Sequence, residues 1–75
     1  SGGTLYKVQA GAFAKYSNAT SLGKKLNAAG FSTYIYRDSD GLYKVQVGAF
    51  SSEKNAKVRV EELTSKGFSV YAYKG

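Results

Sequence analysis

The sequence predicts an α+β fold, βαββαβ, in which two copies of a strand–helix–strand unit share one four-stranded antiparallel sheet with both helices on one face. The first observation is a repeat: residues 5–9 (LYKVQ) recur as residues 42–46, and this offset of 37 gives 16 identities over 32 gapless positions. The second is a change of hydrophobic period within each copy, from alternation to helical spacing and then to a β-rich stretch. A repeat at a fixed period indicates a duplicated supersecondary unit.

The first strand of each copy is predicted at residues 5–13 and 42–50, because apolar and polar side chains alternate along both. The parity expected to face the core contains Tyr6, Val8, Ala10 and Ala12, matched by Tyr43, Val45, Val47 and Ala49. The opposite parity contains Leu5, Lys7, Gln9 and Gly11, matched by Leu42, Lys44, Gln46 and Gly48. A sheet with one apolar and one polar parity is expected to be covered on one side only.

A helix is predicted after each first strand from apolar residues at helical spacing. The two stripes are Ala19, Leu22, Leu26 and Ala56, Val60, Leu63. The second helix has Ser51 or Ser52 as a candidate N-cap, whereas the first contains Gly23, which costs about 1 kcal/mol of helix stability. Gly30 and Gly67 are expected to end the helices in the left-handed conformation.

The connections determine the order of the strands. Second strands are predicted at residues 32–37 and 69–74, and residues 38–41 (DSDG) between the copies are typical of a hairpin loop. Two such units joined by a hairpin give the split-βαβ, or ferredoxin-like, arrangement. Because the crossovers are right-handed, the predicted order is second, third, first, fourth. The whole forms a single domain over residues 4–75, with repeats at 5–37 and 42–74.

The edge strands could place either of two residue sets against the helices. Tyr34 and Tyr36 share one parity, as do Tyr71 and Tyr73. Burying four phenols would require four hydrogen-bond partners in a thin core. The tyrosines are therefore predicted on the sheet face away from the helices, which we call the open face; the residues predicted inward are Ile35, Val70 and Ala72. In the alternative, the rings belong to the core and only the hydroxyls reach its rim.

The open face is the candidate site. It combines the four tyrosines with Lys7, Gln9, Lys44 and Gln46. Aromatic rings pack against the C–H patches of sugars, a Gln carboxamide both donates and accepts hydrogen bonds, and Lys attracts carboxylates. Gln9 is next to Gly11, where we expect backbone open to an approaching sugar. RNA also suits such a surface, because its bases stack on sheet aromatics, so two binding classes stay open.

Composition argues against catalysis. The 75 residues include no Cys and no His, which excludes disulfides, thiolate metal sites and the commonest general base; no cofactor or metal is expected. Among the acidic residues, Asp38 and Asp40 suit a turn, and the adjacent Glu61 and Glu62 suit a solvated helix face. The net charge of +6 favours an anionic partner, namely nucleic acid, anionic lipid or an acidic wall polymer.

No apolar run approaches the roughly 18 residues of a membrane-spanning helix, so membrane insertion is not expected. Residues 1–3 (SGG) suggest the end of a linker or a cloning remnant.

Two motifs resemble a known family. Residues 8–13 (VQAGAF) and 45–50 (VQVGAF) are each followed by a helical Ala, a helical Leu and then Gly-Phe, at 30–31 and 67–68. This order, over residues 4–74, resembles the signature of the SPOR (sporulation-related repeat) domain family. The resemblance implies a βαββαβ sheet that binds bacterial peptidoglycan and prefers glycan strands stripped of stem peptides. It also implies a module of a longer wall hydrolase, similar to the C-terminal module of Bacillus sporulation N-acetylmuramoyl-L-alanine amidases.

The resemblance further implies site residues and partners. Gln9 lies at the family's Gln in the first strand, and Leu42 and Lys44 lie where members often carry an aromatic and a basic residue. Leu42 replaces the aromatic, and Tyr34 or Tyr36 is expected to compensate. The implied partners are glycan strands, anionic wall polymers and a linked catalytic domain. The domain is expected to be a monomer that acts outside the cytoplasm, at the cell wall.

The rival functions are an RNA-binding sheet and a protein–protein adaptor. Against specific RNA binding, the central strands carry Lys, Gln and Gly in place of the aromatics of RNA-recognition motifs.

Overall fold

The computed structural model describes residues 5–75, and the predicted linker or cloning remnant at residues 1–3 lies outside them. Its elements in chain order are β1 (Tyr6–Phe13), α1 (Tyr16–Ala28), β2 (Tyr34–Arg37), β3 (Tyr43–Phe50), α2 (Glu53–Ser65) and β4 (Tyr71–Lys74). They form one sheet in the order β2-β3-β1-β4, in which every neighbouring pair is antiparallel. The predicted architecture and strand order are confirmed, although β2 and β4 begin later than the predicted residues 32 and 69.

The core lies between the sheet and the two helices, both of which pack against the central strands β1 and β3. Its fully buried apolar side chains are Val8, Val45 and Val47 from the sheet and Ala19, Leu26, Ala56 and Leu63 from the helices. Leu22 and Val60 complete the predicted stripes as partly buried residues. Burying one large aliphatic side chain contributes roughly 1.5–3 kcal/mol, so this cluster is the main apolar contribution to folding.

Both helices end in the predicted glycine motif. Gly30 and Gly67 have φ angles of 97° and 92°. In each case the N–H of the following Phe donates a 3.0 Å hydrogen bond to the carbonyl of the helical Leu five residues earlier, which returns the ring to the core. At the start of α2, Ser52 is the N-cap and its side chain accepts a hydrogen bond from a backbone N–H. Among residues 5–75, no helix is both long and apolar enough to cross a membrane.

A β-bulge interrupts each central strand. Ala10 of β1 has no direct partner in β3, and Val47 of β3 has none in β1, so the register shifts at both places. The extra residue and the glycine after it both point toward the helices. A Cβ on Gly11, for example, would lie 3.1 Å from Leu22 Cδ2 of α1. After each bulge, the alternation of side chains between the two sheet faces is therefore the reverse of the predicted one.

Four residues consequently lie on the opposite face from the predicted one. Ala12 and Ala49, predicted in the core, pair with lysines of the neighbouring strand and are exposed on the open face. Gly11 and Gly48, predicted on the open face, lie against the ring of the Phe two residues later, and a Cβ on either would come within 2.8 Å of that ring. The alternation does not reveal this, because the extra residue in each strand is itself apolar.

Candidate functional site

All four edge-strand tyrosines lie on the open face. The direct pairs across the sheet are Tyr34 with Gln46, Tyr36 with Lys44, Tyr71 with Gln9 and Tyr73 with Lys7. Directly paired residues of antiparallel strands share a face, so the tyrosines and the polar residues form one surface. The outer rings, Tyr34 and Tyr71, are 62% and 54% exposed. The predicted face is confirmed, and the alternative with tyrosines in the core is wrong.

The tyrosine rings form two pairs that meet across the sheet. The ring centroids of Tyr34 and Tyr36 lie 5.6 Å apart with an interplanar angle of 22°, and those of Tyr71 and Tyr73 lie 5.9 Å apart at 41°. The hydroxyls of Tyr36 and Tyr73 lie 3.4 Å from each other. Because three interstrand gaps of about 4.8 Å separate β2 from β4, both side chains must lean inward over β1 and β3. We call this contact the tyrosine bridge.

The tyrosine bridge changes the acidity of Tyr36. The hydrogen bond with Tyr73 is the largest cause that raises the pKa of Tyr36 to about 12, and burial adds to it. Asp38 raises this pKa slightly further, whereas Lys44 lowers it. The Tyr36 phenol is therefore neutral at physiological pH.

Gln9 and Gln46 occupy the centre of the open face, where they are direct partners in the β1–β3 register. Gln9 is only 7% exposed, although α1 and α2 both lie on the opposite face of the sheet. Its direct partner in β4 is Tyr71, and the tyrosine bridge spans the two central strands. We infer that the tyrosine rings account for the burial of Gln9. The predicted open backbone at Gly11 is wrong, because Gly11 faces Leu22 of α1. A ligand therefore reaches Gln9 only past the tyrosine rings.

Lys44 is paired and not an unopposed cation. Its Nζ lies 3.3 Å from Asp38 Oδ2 and 3.1 Å from Asp40 Oδ2, and its side chain is only 14% exposed. The other oxygen of each carboxylate accepts a backbone N–H, from Ser39 at 2.7 Å and from Leu42 at 3.0 Å.

These contacts shift the acidity of all three groups. The backbone N–H groups first, and then the ammonium, hold the pKa of Asp38 and Asp40 below the usual range. The two carboxylates, Asp40 first, raise the pKa of Lys44. The prediction of Asp38 and Asp40 as turn residues is therefore right but incomplete, because both also neutralise Lys44.

Lys7 and Leu42 are the remaining predicted site residues. No acidic side chain within residues 5–75 pairs with Lys7, so Lys7 is the more available cation of the open face. Leu42 is half-buried just before β3, and its backbone is fixed by hydrogen bonds with the aspartates of the loop. A binding role for either residue stays a prediction.

Arg59 of α2 is a structural residue that sequence reasoning does not single out. Its guanidinium lies 5.4 Å from the Phe31 ring centroid and 5.3 Å from that of Phe50. It also donates a 2.9 Å hydrogen bond to the carbonyl of the bulge residue Val47. Repeat one has Leu22 at the corresponding position, so the available signal was an Arg in place of a stripe residue.

The sequence model of the SPOR domain family matches residues 2–74 of this chain, in agreement with the fold described above. This chain belongs to the SPOR domain family. Among solved structures, this SPOR domain is similar to the peptidoglycan-binding domain of the Bacillus subtilis cell wall lytic enzyme CwlC. The sequence identity is 43% and the TM-score 0.88, over 100% of this chain and 94% of that one.

A crystal structure described as that of an exported protein of Burkholderia pseudomallei shares the fold. Its identity is 21% and its TM-score 0.72, over 95% of this SPOR domain and 16% of that chain. No curated protein matches the sequence significantly.

Proposed function

We propose that this SPOR domain is a non-catalytic module that binds the glycan strands of peptidoglycan on its open face. The observation that carries the proposal is the uncovered sheet surface, on which four tyrosines flank two glutamines and two lysines. The similarity to the peptidoglycan-binding domain of CwlC, over the whole of this chain, supports it.

Each group on the open face matches a feature of a glycan strand. The exposed rings of Tyr34 and Tyr71 offer flat apolar surfaces to the C–H patches of sugar rings. Gln46, which is half-buried, can donate and accept hydrogen bonds with sugar hydroxyls or N-acetyl groups. Lys7 can form a charge-assisted hydrogen bond with a sugar carboxylate. Together these contacts favour a ligand that is apolar on its faces and anionic at intervals.

The proposed preference is for glycan without stem peptides. Removing the peptide leaves a free lactyl carboxylate on each muramic acid, so the strand becomes a polyanion with regularly spaced charges. The net charge of +6 attracts such a strand, and anionic wall polymers as well, over a long range. The stacked rings and Lys7 then distinguish glycan from other polyanions at short range.

The domain is proposed to act at the cell wall, outside the cytoplasm, where it holds a linked hydrolase near its substrate. CwlC is described as a cell wall lytic enzyme, which supports a linked hydrolase; we propose that this hydrolase is an N-acetylmuramoyl-L-alanine amidase. A short flexible tether gives effective concentrations on the order of millimolar. Such a module raises the rate of cleavage without supplying a catalytic residue.

Co-sedimentation with purified sacculi, before and after amidase removes the stem peptides, tests the proposal. We expect binding near physiological salt that strengthens after the treatment. The double variant Tyr34→Ala/Tyr71→Ala removes the two exposed rings and is expected to weaken binding about tenfold, since each aromatic contact contributes roughly 0.5–1.5 kcal/mol. The matched control is Tyr16→Ala, because Tyr16 is similarly exposed at 57% but lies at the start of α1.

Two outcomes would contradict the proposal. Sacculus binding that is insensitive to the loss of both rings, or equally sensitive to Tyr16→Ala, would place the ligand elsewhere. Sequence-selective RNA binding that persists at physiological salt would favour the RNA-binding alternative. Weak RNA binding that salt abolishes would not, because counterion release gives any basic domain some affinity for nucleic acid.

A further inference from the structure

The two halves of the open face are identical in sequence, although the two repeats are not. The register places five pairs of residues related by the offset of 37 on this face, and all five are identical: Lys7 and Lys44, Gln9 and Gln46, Ala12 and Ala49, Tyr34 and Tyr71, Tyr36 and Tyr73. Over the repeats as a whole, only 16 of 32 aligned positions are identical. Identity is therefore concentrated on the face proposed to bind the ligand.

The outer surfaces of the helices show the opposite trend. Lys24 and Lys25 of α1 correspond to Glu61 and Glu62 of α2, so the charge is reversed, and all four side chains are exposed. Exposed residues contribute little to stability, so folding alone would have allowed similar divergence at the exposed open-face pairs, Ala12 with Ala49 and Tyr34 with Tyr71. A requirement that acts equally on both halves, namely contact with the same ligand, accounts for the identity.

The identical pairs are arranged with two-fold symmetry. Gln9 and Gln46 are direct partners at the centre, and the tyrosine bridge joins two residues that the same offset relates. On one side of the centre Tyr71 pairs with Gln9, and on the other Tyr34 pairs with Gln46. A half-turn about an axis through the centre and perpendicular to the sheet exchanges the two halves.

We infer that the open face binds a glycan strand in both of its two chain directions. The inference rests on the proposed function and concerns how that same site is used. A glycan strand has a reducing and a non-reducing end and therefore no two-fold axis, whereas the face presents the same groups after a half-turn. Each bound pose thus has a counterpart with the strand reversed and nearly the same contacts, so the domain docks whichever way the strand runs.

The two lysines of the open face differ in their charged neighbours. Lys44 is held by Asp38 and Asp40, whereas the corresponding positions in repeat one are Ser1 and Gly3, which carry no side-chain charge. An anionic group of the strand is therefore favoured at the Lys7 half, and this difference sets the ratio of the two directions. The double variant Asp38→Asn/Asp40→Asn keeps an oxygen for each turn N–H and releases Lys44, which brings the ratio closer to one.

NMR of the ¹⁵N-labelled domain with a denuded tetrasaccharide, spin-labelled with a nitroxide at its reducing end, tests the inference. Paramagnetic broadening falls steeply with distance from the label, so it reports where the reducing end lies. We expect each broadened amide on the open face to have a broadened partner 37 residues away. The populations of the two bound orientations are expected to differ by no more than about tenfold, which corresponds to about 1.4 kcal/mol. In Asp38→Asn/Asp40→Asn the two populations are expected to be more nearly equal.

Broadening on one half alone, in both the parent and the Asn variant, would overturn the inference and leave glycan binding intact. The same sample with the nitroxide reduced serves as the diamagnetic control. If no open-face amide shifts in that control on addition of the tetrasaccharide, the proposed function itself is wrong, and the inference fails with it.

Discussion

The two contacts between a helix and an edge strand are built from different residues. Where α1 passes β2, Gly23 allows a close approach, and a Cβ there would lie 3.3 Å from Ile35 Cδ1 and 3.4 Å from Thr33 Oγ1. Where α2 passes β4, the corresponding residues are Val60 and Ala72, and a groove of about 400 Å³ remains beside them. This helix–strand contact thus tolerates a choice of residues, whereas the open face keeps the same residues in both repeats.

The starts of the two helices differ in a similar way. Tyr16 of α1 packs edge-on against Tyr43, with centroids 5.3 Å apart and an interplanar angle of 65°, and Arg37 lies 5.9 Å from the same ring. Repeat two has Glu53 in place of Tyr16, and a cavity of about 400 Å³ stays open next to Tyr6. Tyr16 is therefore a packing residue of the helix side despite its exposure, which suits it as a control for the open-face tyrosines.

The largest expected effect tests a position at which the repeats agree. Leu26 and Leu63 are equivalent residues and both are fully buried. Leu26→Ala and Leu63→Ala are each expected to lower the free energy of unfolding by about 2–5 kcal/mol, because each leaves a cavity in the shared core. Urea denaturation measures the loss. A substitution tolerated at one position and not at the other would show that the repeats do not contribute equally to one core.

A smaller effect tests whether the two edge contacts are interchangeable. Gly23→Val is expected to lower the free energy of unfolding by about 1–3 kcal/mol, because the new side chain overpacks the contact with Ile35. Gly23→Val/Ile35→Ala reproduces the combination of Val60 and Ala72 in repeat one. We expect it to be more stable than the sum of the single variants implies, by about 0.5–3 kcal/mol. Additive losses in this double-mutant cycle would refute the exchange of volume between helix and strand.

Much of the fold followed from the sequence because the duplication gives each signal twice. The glycines after both helices and the loop between the copies determined the connections, and the cost of burying phenols placed Tyr34 and Tyr71 correctly. The bulges were missed because Ala10 and Val47 are apolar, so an extra residue does not interrupt the apolar pattern.

The pairing of Lys44 was missed for a different reason. Asp38 and Asp40 have a sufficient explanation in turn chemistry alone, and only the folded hairpin brings their second oxygens within 3.3 Å and 3.1 Å of Lys44. The same folded geometry, with the tyrosine rings leaning inward, is what covers Gln9.

The tyrosine bridge joins the two halves of the open face by one hydrogen bond, so its two members are expected to be equivalent. Tyr36→Phe and Tyr73→Phe should each lower the free energy of unfolding by about 0.5–1.5 kcal/mol, and the double variant by no more than either single one. Thermal or urea unfolding at neutral pH measures this. If the double variant lost the sum of the two single losses in unfolding free energy, the two hydroxyls would stabilise the fold independently.

The bridge also predicts a pH dependence above neutrality. The pKa of Tyr36 is about 12 in the folded chain and 10.0 for an unperturbed tyrosine, so the folded state holds this proton more tightly. The resulting stabilisation is complete below pH 10 and is lost as the pH rises from 10 to about 12. Because other groups titrate in this range, the parent is compared with Tyr73→Phe. A parent that loses no more stability than Tyr73→Phe between pH 9 and 12 would contradict the assignment.

The smallest expected effects separate the two lysines of the open face, which are identical in sequence but not in surroundings. Lys7 has no acidic partner among residues 5–75, so Lys7→Gln is expected to leave the melting temperature unchanged and to weaken sacculus binding by up to about fivefold, the size of an exposed ion pair. Lys25→Gln removes the same charge from the exposed surface of α1 and is the matched control, with a smaller loss of binding. Lys44→Gln is expected to lower the melting temperature, because Asp38 and Asp40 are left without their cation. If Lys7→Gln instead destabilises the fold while Lys44→Gln does not, the charge asymmetry between the two halves is reversed.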